Sequence, residues 1–285
     1  MKLLRYGPIS GEKPGILDSR GRVRDLSGII PDLTAAGLSE EVLPTLAKLD
    51  PDCLPLVKAD VRIGCPVANI GKVIAVGLNY AEHANETGLT LPTEPILFMK
   101  AISALCGPND DVVIPRGAIK TDWEVELGVI IGKTARYVDE NSALSHVAGY
   151  VVVNDISERA YQFECGGQWD KGKSCDTFCP VGPWLVTPDE IADPQHLSVW
   201  LDVNGQRRQH SNTSNLVFGI ANLISYISRF MTLYPGDLIS TGTPPGVGFM
   251  QKPVPIFLKP GDIMTLGVEG LGIQMQTCRA WSRDY

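Results

Sequence analysis

Absences delimit this chain first. None of its 285 residues belongs to an uninterrupted apolar run approaching the roughly 18 positions of a membrane span, so no membrane partner is expected. Met1-Lys2-Leu3-Leu4-Arg5 runs into Gly7 and Pro8 rather than into the apolar core of a signal peptide, and the expected compartment is the cytoplasm. The seven cysteines (Cys53, Cys65, Cys106, Cys165, Cys175, Cys179 and Cys278) are odd in number and form no C-x-x-C pair. That argues against a disulfide framework or zinc ribbon, and for reduced thiols used mostly as core filler. There is no G-x-G-x-x-G turn between strand and helix and no G-x-x-x-x-G-K-[ST] loop, which leaves nucleotide binding without support. No cluster of Lys and Arg offsets a formal net charge of −7, which disfavours nucleic acid as a partner. Aromatics make up only 7% of the chain, few for the exposed platforms of a carbohydrate-binding module.

What is present is ample core and frequent punctuation. A hydrophobic content of 44% supports one substantial domain, or a small one plus a large one. With 29 Gly and 21 Pro between short strands, the expected fold is mainly β with some α, a mixed β-sandwich roll or barrel. Residues 1–65 read as a small N-terminal α+β domain. It holds a hairpin between Pro14 and Leu26, a helical segment near Leu43 to Leu49, and a Pro-rich connection from Asp50 to Pro66. In the main domain, residues 66–285, strands are expected at Val73–Val76, Pro95–Met99, Glu124–Ile131, Val147–Asn154, Leu197–Val203, Asp237–Ser240 and Ile263–Val268. One long helix is expected from about Asn215 to Met231, with Val217, Ile220, Ile224 and Ile227 at helical spacing and Thr213 or Ser214 as its cap.

The densest chemistry lies in Asp122-Trp123-Glu124-Val125-Glu126. Carboxylates at every second residue leave one face of a strand, and a buried strand keeps three like charges together only with a cation. Carboxylate oxygens suit Mg²⁺, Mn²⁺ or Ca²⁺ rather than Zn²⁺, and a solvated acidic face is the alternative reading. Asp155 adds a further acid at the end of the apolar run from Val151. Arg159 and Gln162 follow it by four and seven residues, a spacing that puts them on its side of a helix. Of four histidines, His146, His196 and His210 read as surface residues, the last in a polar turn. His83 leaves an apolar strand with Glu86 three residues on, the spacing of a carboxylate-supported general base or of an exposed helical pair. Lys173 is a candidate cation. Ser240 to Gly248, through Thr243, is either a backbone nest able to hold an anion or a tight turn, and Trp169 belongs to a loop over the site.

Taken in order, Gly77-Leu78-Asn79-Tyr80-Ala81-Glu82-His83, Asp122 to Gly128, Asn154-Asp155 with Arg159 and Gln162, Lys173-Ser174-Cys175-Asp176, and Met231 to Pro244 resemble the fumarylacetoacetate hydrolase family over most of residues 70–280. The resemblance implies a divalent ion, Mg²⁺ or Mn²⁺, on Glu124, Glu126 and Asp155, with Asp122 beside the ligands rather than among them. It implies His83 and Glu86 as a water-activating dyad on a lid segment, Lys173 as catalytic, and Arg159, Gln162 and Thr243 as contacts to a pyruvoyl group. A homodimer is also implied. The chemistry that follows is hydrolysis of the C3–C4 bond of a 2,4-dioxo acid. Gly167-Gln168-Trp169 and Lys171 to Thr177 are similar to the bacterial subgroup acting on 2,4-diketo-3-deoxy-L-rhamnonate, the same molecule as the L-fuconate derivative, to give pyruvate and L-lactate. Other acylpyruvate hydrolysis, oxaloacetate decarboxylation and diacid isomerisation are alternatives on the same site. A non-catalytic metal or sugar-acid binding protein is a further one, whose expected mark is loss of the dyad or of Lys173.

Overall fold

The structure is a computed structural model that describes residues 1–82 and 91–283. At the N-terminal end, strands β1 (Lys2–Tyr6), β2 (Lys13–Leu17) and β3 (Val23–Asp25) pair antiparallel in succession, the last two forming the expected hairpin. Asp18 shapes its turn by accepting from the Arg20 and Arg22 amides and from Nε of Arg22 and Arg24. Helix α1 (Leu43–Leu46) is shorter than expected, and β4 (Ile63–Gly64) returns to pair with β1. The antiparallel pair β5 (Val73–Gly77) and β6 (Ile96–Lys100) follows, then the short strands β7 (Leu105–Cys106) and β8 (Val112–Ile114).

β9 (Thr121–Asp122) precedes β10 (Val125–Ile131), which forms a long antiparallel ladder with β11 (Val147–Asn154). The chain continues through α2 (Glu140–Ala143), β12 (Ser157–Glu158), α3 (Arg159–Phe163) and α4 (Asp170–Lys173). It ends with β13 (Cys179–Val186), β14 (Ser198–Val203), β15 (Gln206–Asn212), α5 (Ile220–Ser228), β16 (Leu238–Ser240), β17 (Ile263–Val268) and β18 (Gly272–Ala280). One sheet runs β3-β2-β1-β13-β11-β10-β16-β5-β6, with β4 on β1 and β7 on β13, and a second runs β15-β14-β17-β18-β8. Parallel pairings of β5 with β16, β7 with β13 and β8 with β18 make both sheets mixed, in a mostly β fold.

The way the sheets meet decides where the acids point. Asn154 Nδ2 donates to Gln276 Oε1 on β18, so its side chain faces the second sheet, and its register partner Val125 faces the same way. Strand alternation then turns Glu124 and Glu126 to the opposite face. All seven residues of β10 are nonetheless buried, because that face is covered as well.

Three expectations change. The helix starts at Ile220 rather than Asn215, because Asn79 holds the preceding segment extended: its backbone oxygen accepts from Val217 N and its Oδ1 from Phe218 N. His210 lies exposed on β15, not in a turn. All seven cysteines are free, but only Cys179 and Cys278 are buried, so core filling describes two of them. No helix among the described residues is long and apolar enough to cross a membrane.

Candidate active site

Backbone pairing assembles the acids. Asp155 N donates to Glu124 O at 2.8 Å where β11 ends, which sets the two side chains beside each other. One carboxylate oxygen from each of Glu124, Glu126 and Asp155 then lies within 4.8 Å of the others. Their counterions come from separate elements. Lys173, at the end of α4, donates through Nζ to Glu124 Oε2 and Asp155 Oδ2, both at 2.7 Å. Lys100, at the end of β6, reaches Asp155 Oδ1 at 2.5 Å and Ile156 O at 3.1 Å. Arg159 Nε donates to Asp122 Oδ2 at 2.9 Å and Nη1 to Gln162 Oε1 at 3.0 Å. Its Nη2 stands 2.7 Å from Glu124 Oε1 and 2.9 Å from Asp122 Oδ2, as ion-pair contacts without a directed hydrogen bond.

Four buried carboxylates against three cations leave one negative charge in excess, and it falls on Glu126. Among the described residues Glu126 has no cation partner; its Oε2 accepts only from Ser240 Oγ at 2.6 Å and Gly242 N at 2.8 Å. Burial first, then the charges of Asp155 and Glu124, push its carboxyl well above the usual range. Glu124 goes the other way. Burial would raise it, but Lys173 and Arg159 prevail and hold it down to about 2. Burial would likewise lower Lys173, yet Asp155 and Glu124 raise it above the ordinary lysine value. A divalent ion held by Glu124, Glu126 and Asp155 fits this arrangement: it supplies the positive charge that Glu126 lacks, and an all-carboxylate donor set suits a hard ion.

The cluster floors a cavity of ≈ 370 Å³, whose polar lining includes Glu124, Glu126, Arg159, Gln162, Lys173 and Thr243. Four rings line it as well. Phe98 packs on Trp169 with centroids 5.4 Å apart, Trp169 on Phe163 at 6.2 Å and Phe163 on Phe249 at 5.7 Å. The indole fits only because residue 77 is glycine, where an added Cβ would stand 2.5 Å from the Trp169 ring.

The structure thus brings together Glu124, Glu126, Asp155, Arg159, Gln162, Lys173 and Thr243; His83 and Glu86 lie outside the described residues. Some local expectations change. Asp155 to Arg159 is not a helical turn, because Ser157–Glu158 pairs with β9, and that pairing delivers Arg159 to Asp122. The loop after β16 does hold anions, but they are the protein's own. Gly242 N serves Glu126, while Gly248 N and Phe249 N serve Asp122 at 2.6 and 2.9 Å. Thr243 Oγ1 donates to Val125 O and accepts from Gln209 Nε2, so its hydroxyl is already engaged. Lys100 and the rings of Phe98, Phe163 and Phe249 are additions. Lys100 carried one local signal, a lysine ending the apolar run Ile96-Leu97-Phe98-Met99.

Two mixed sheets that bury a carboxylate cluster and its counterions beneath a cavity define a β-rich enzyme with a carboxylate centre. Residues 72–279 match the family model described as fumarylacetoacetate (FAA) hydrolase C-terminal, and the chain belongs to the fumarylacetoacetate hydrolase family. A Burkholderia lata protein named provisionally as a hydrolase is 59% identical over 279 residues, covering 98% of this chain and 99% of its own. The fumarylacetoacetate hydrolase of Exiguobacterium antarcticum superposes with a TM-score of 0.88 at 34% identity, covering 99% of this chain and 100% of that one. The maleylpyruvate hydrolase of Sphingobium sp. SYK-6, solved with manganese(II) and pyruvate, does so with a TM-score of 0.82 at 31% identity, with coverage of 99% and 100%.

Proposed function

We propose that the protein hydrolyses the C3–C4 bond of a 2,4-dioxo acid, with 2,4-diketo-3-deoxy-L-rhamnonate as substrate and pyruvate and L-lactate as products. The observation that carries this reading is the meeting of Glu124, Glu126, Lys173 and Arg159 on the floor of one cavity, with Asp155 buried directly behind them. Glu124, Glu126 and Asp155 would hold a divalent ion, Mg²⁺ or Mn²⁺, which would supply Lewis-acid polarisation of the 2-oxo acid end. Arg159, kept in place by Asp122 and Gln162, orients the substrate carboxylate, with Gln162 and Thr243 bordering it. His83, supported by Glu86, takes the proton of the water that adds to C4; this assignment rests on their spacing in the sequence. As the C3–C4 bond breaks, its electron pair passes to the pyruvate fragment as an enolate. The Lys173 ammonium, buried and firmly charged, stabilises the oxygen that becomes negative. Protonation of C3 completes pyruvate, and C4 leaves as the second carboxylic acid. The manganese(II) and pyruvate of the Sphingobium hydrolase agree with such a product site.

The test is release of pyruvate and L-lactate from this substrate, with Mg²⁺ and with chelator, for the native protein and for His83→Ala. Equal amounts, lost with chelator and reduced roughly 10²- to 10⁴-fold in the variant, are expected. No turnover of the dioxo acid, together with pyruvate from oxaloacetate that survives His83→Ala, would make the protein a decarboxylase instead.

A further inference from the structure

The cavity lining combines charged side chains with the rings of Phe98, Phe163, Trp169 and Phe249, and a carboxylate end with a reacting carbonyl accounts only for the charged part. We propose that the four rings form an acyl subsite that selects 2-oxo acids whose far end is uncharged and closes in an alkyl group, as the methyl-terminated acyl end of the substrate above does, and rejects diacids. The proposal rests on the reading above, in which the 2-oxo carboxylate sits on the acidic and basic floor.

The rings converge from four separate places: Phe98 on β6, Phe163 at the end of α3, Trp169 just before α4, and Phe249 in the turn Gly248–Met250. Their positions are built in. Gly77 makes room for the indole, and Asp122 holds the Phe249 turn through the Gly248 and Phe249 amides. Phe163 and Phe249 remain 44% and 39% exposed, an apolar rim open to an incoming chain. Phe98 marks the border, since Lys173 Nζ lies 5.1 Å from its centroid.

Charge argues the same way. The titratable lining residues are Glu124, Glu126, Arg159, Glu164 and Lys173, and both cations sit on the floor, where the reading above gives them to the 2-oxo acid end. Glu164 is the one charged residue of the lining outside that floor, and it pairs with Lys120. A second carboxylate entering the far end therefore meets aromatic faces and the Glu164–Lys120 ion pair, and among the described lining residues no cation outside the floor. A neutral tail instead buries its methylenes against the rings.

The test uses 2-oxo acids that lack a C4 carbonyl, so binding is read without turnover. Calorimetric titration of the Mn²⁺-loaded protein compares 2-oxobutanoate, 2-oxohexanoate and 2-oxooctanoate with the diacid 2-oxohexanedioate. Affinity is expected to rise up to about fourfold per added methylene, and the diacid to bind at least about tenfold more weakly than 2-oxohexanoate. Phe249→Ala and Phe163→Ala should each flatten the chain-length slope, and Phe249→Arg should reverse the preference for the monoacid. Melting curves on each variant check that it is folded. Affinity indifferent to chain length, or a diacid bound as well as the monoacid, overturns the proposal. Failure to bind any 2-oxo acid overturns both it and the hydrolase reading. A clear slope without cleavage of any 2,4-dioxo acid upholds the subsite and removes only the hydrolase.

Discussion

Asp122 illustrates how one residue serves the site without joining the carboxylate triad. Oδ1 accepts from the amides of Trp123 and Gly248, and Oδ2 from Arg159 Nε and Phe249 N, so its acceptor capacity is filled by the protein. Asp122→Asn puts an amide group where only acceptors fit. The expected cost is about 1–3 kcal/mol of stability together with weaker 2-oxo acid binding, measured by denaturant unfolding and titration. An unchanged midpoint would remove the anchoring role. Glu126→Gln should act differently: deleting an unpaired buried charge leaves the metal-free protein as stable or more so, while stabilisation by Mn²⁺ disappears. At this scale much of the site was legible, because Asp122, Glu124, Glu126, Asp155, Arg159 and Gln162 crowd into two short stretches. Lys100 was not, since its carboxylate partner lies 55 residues away and no local spacing reports a contact of that reach.

Among the elements, strands with continuous apolar runs such as β5, β11 and β17 were readable, whereas β13, whose apolar run is broken by Pro180 and Pro183, and strands of inverted polarity were not. On β18, Gln274 and Gln276 are wholly buried while Ile273 and Met275 are each 55% exposed, the reverse of the usual alternation. Gln276 is inside because its amide donates to Pro108 O and Gln274 Oε1, and Gln274 because it serves backbone oxygens left open by irregular pairing. Gln274 Nε2 donates to Val152 O and Gly182 O at 2.8 and 2.9 Å, next to the register shift between β11 and β13. Gln274→Leu removes both donors and should cost about 1–3 kcal/mol for each orphaned carbonyl, seen as a melting temperature lower by several degrees. Equal melting temperatures would mean that water replaces the amide. β15 was missed for a similar reason: in Gln206–Asn212 only Gln209 is buried, so its sequence looks like a loop.

For the whole molecule, composition and Gly/Pro punctuation were enough to point to a mixed β fold, whereas the order in which strands cross between sheets depends on contacts no local pattern encodes. The metal reading has a global readout. With Mn²⁺ at a hundred times its dissociation constant, linkage adds about 2.7 kcal/mol, roughly 5–10 °C in melting temperature for a chain of this size. Chelator should reverse the shift; its absence in the native protein would remove the metal from the reading. A last consequence concerns how the chain reaches this structure. Glu126 lies in one local ladder, β10 with β11, and Glu124 and Asp155 meet at its end, whereas Lys100 and Lys173 arrive with other elements. Until those elements dock, the ladder gathers its acids against Arg159 alone, so the carboxylate cluster slows the search for the fold. Refolding in stopped flow should therefore quicken with added salt or Mg²⁺ while unfolding changes little, and a refolding limb indifferent to both would show that the acids and their counterions come together in a single step.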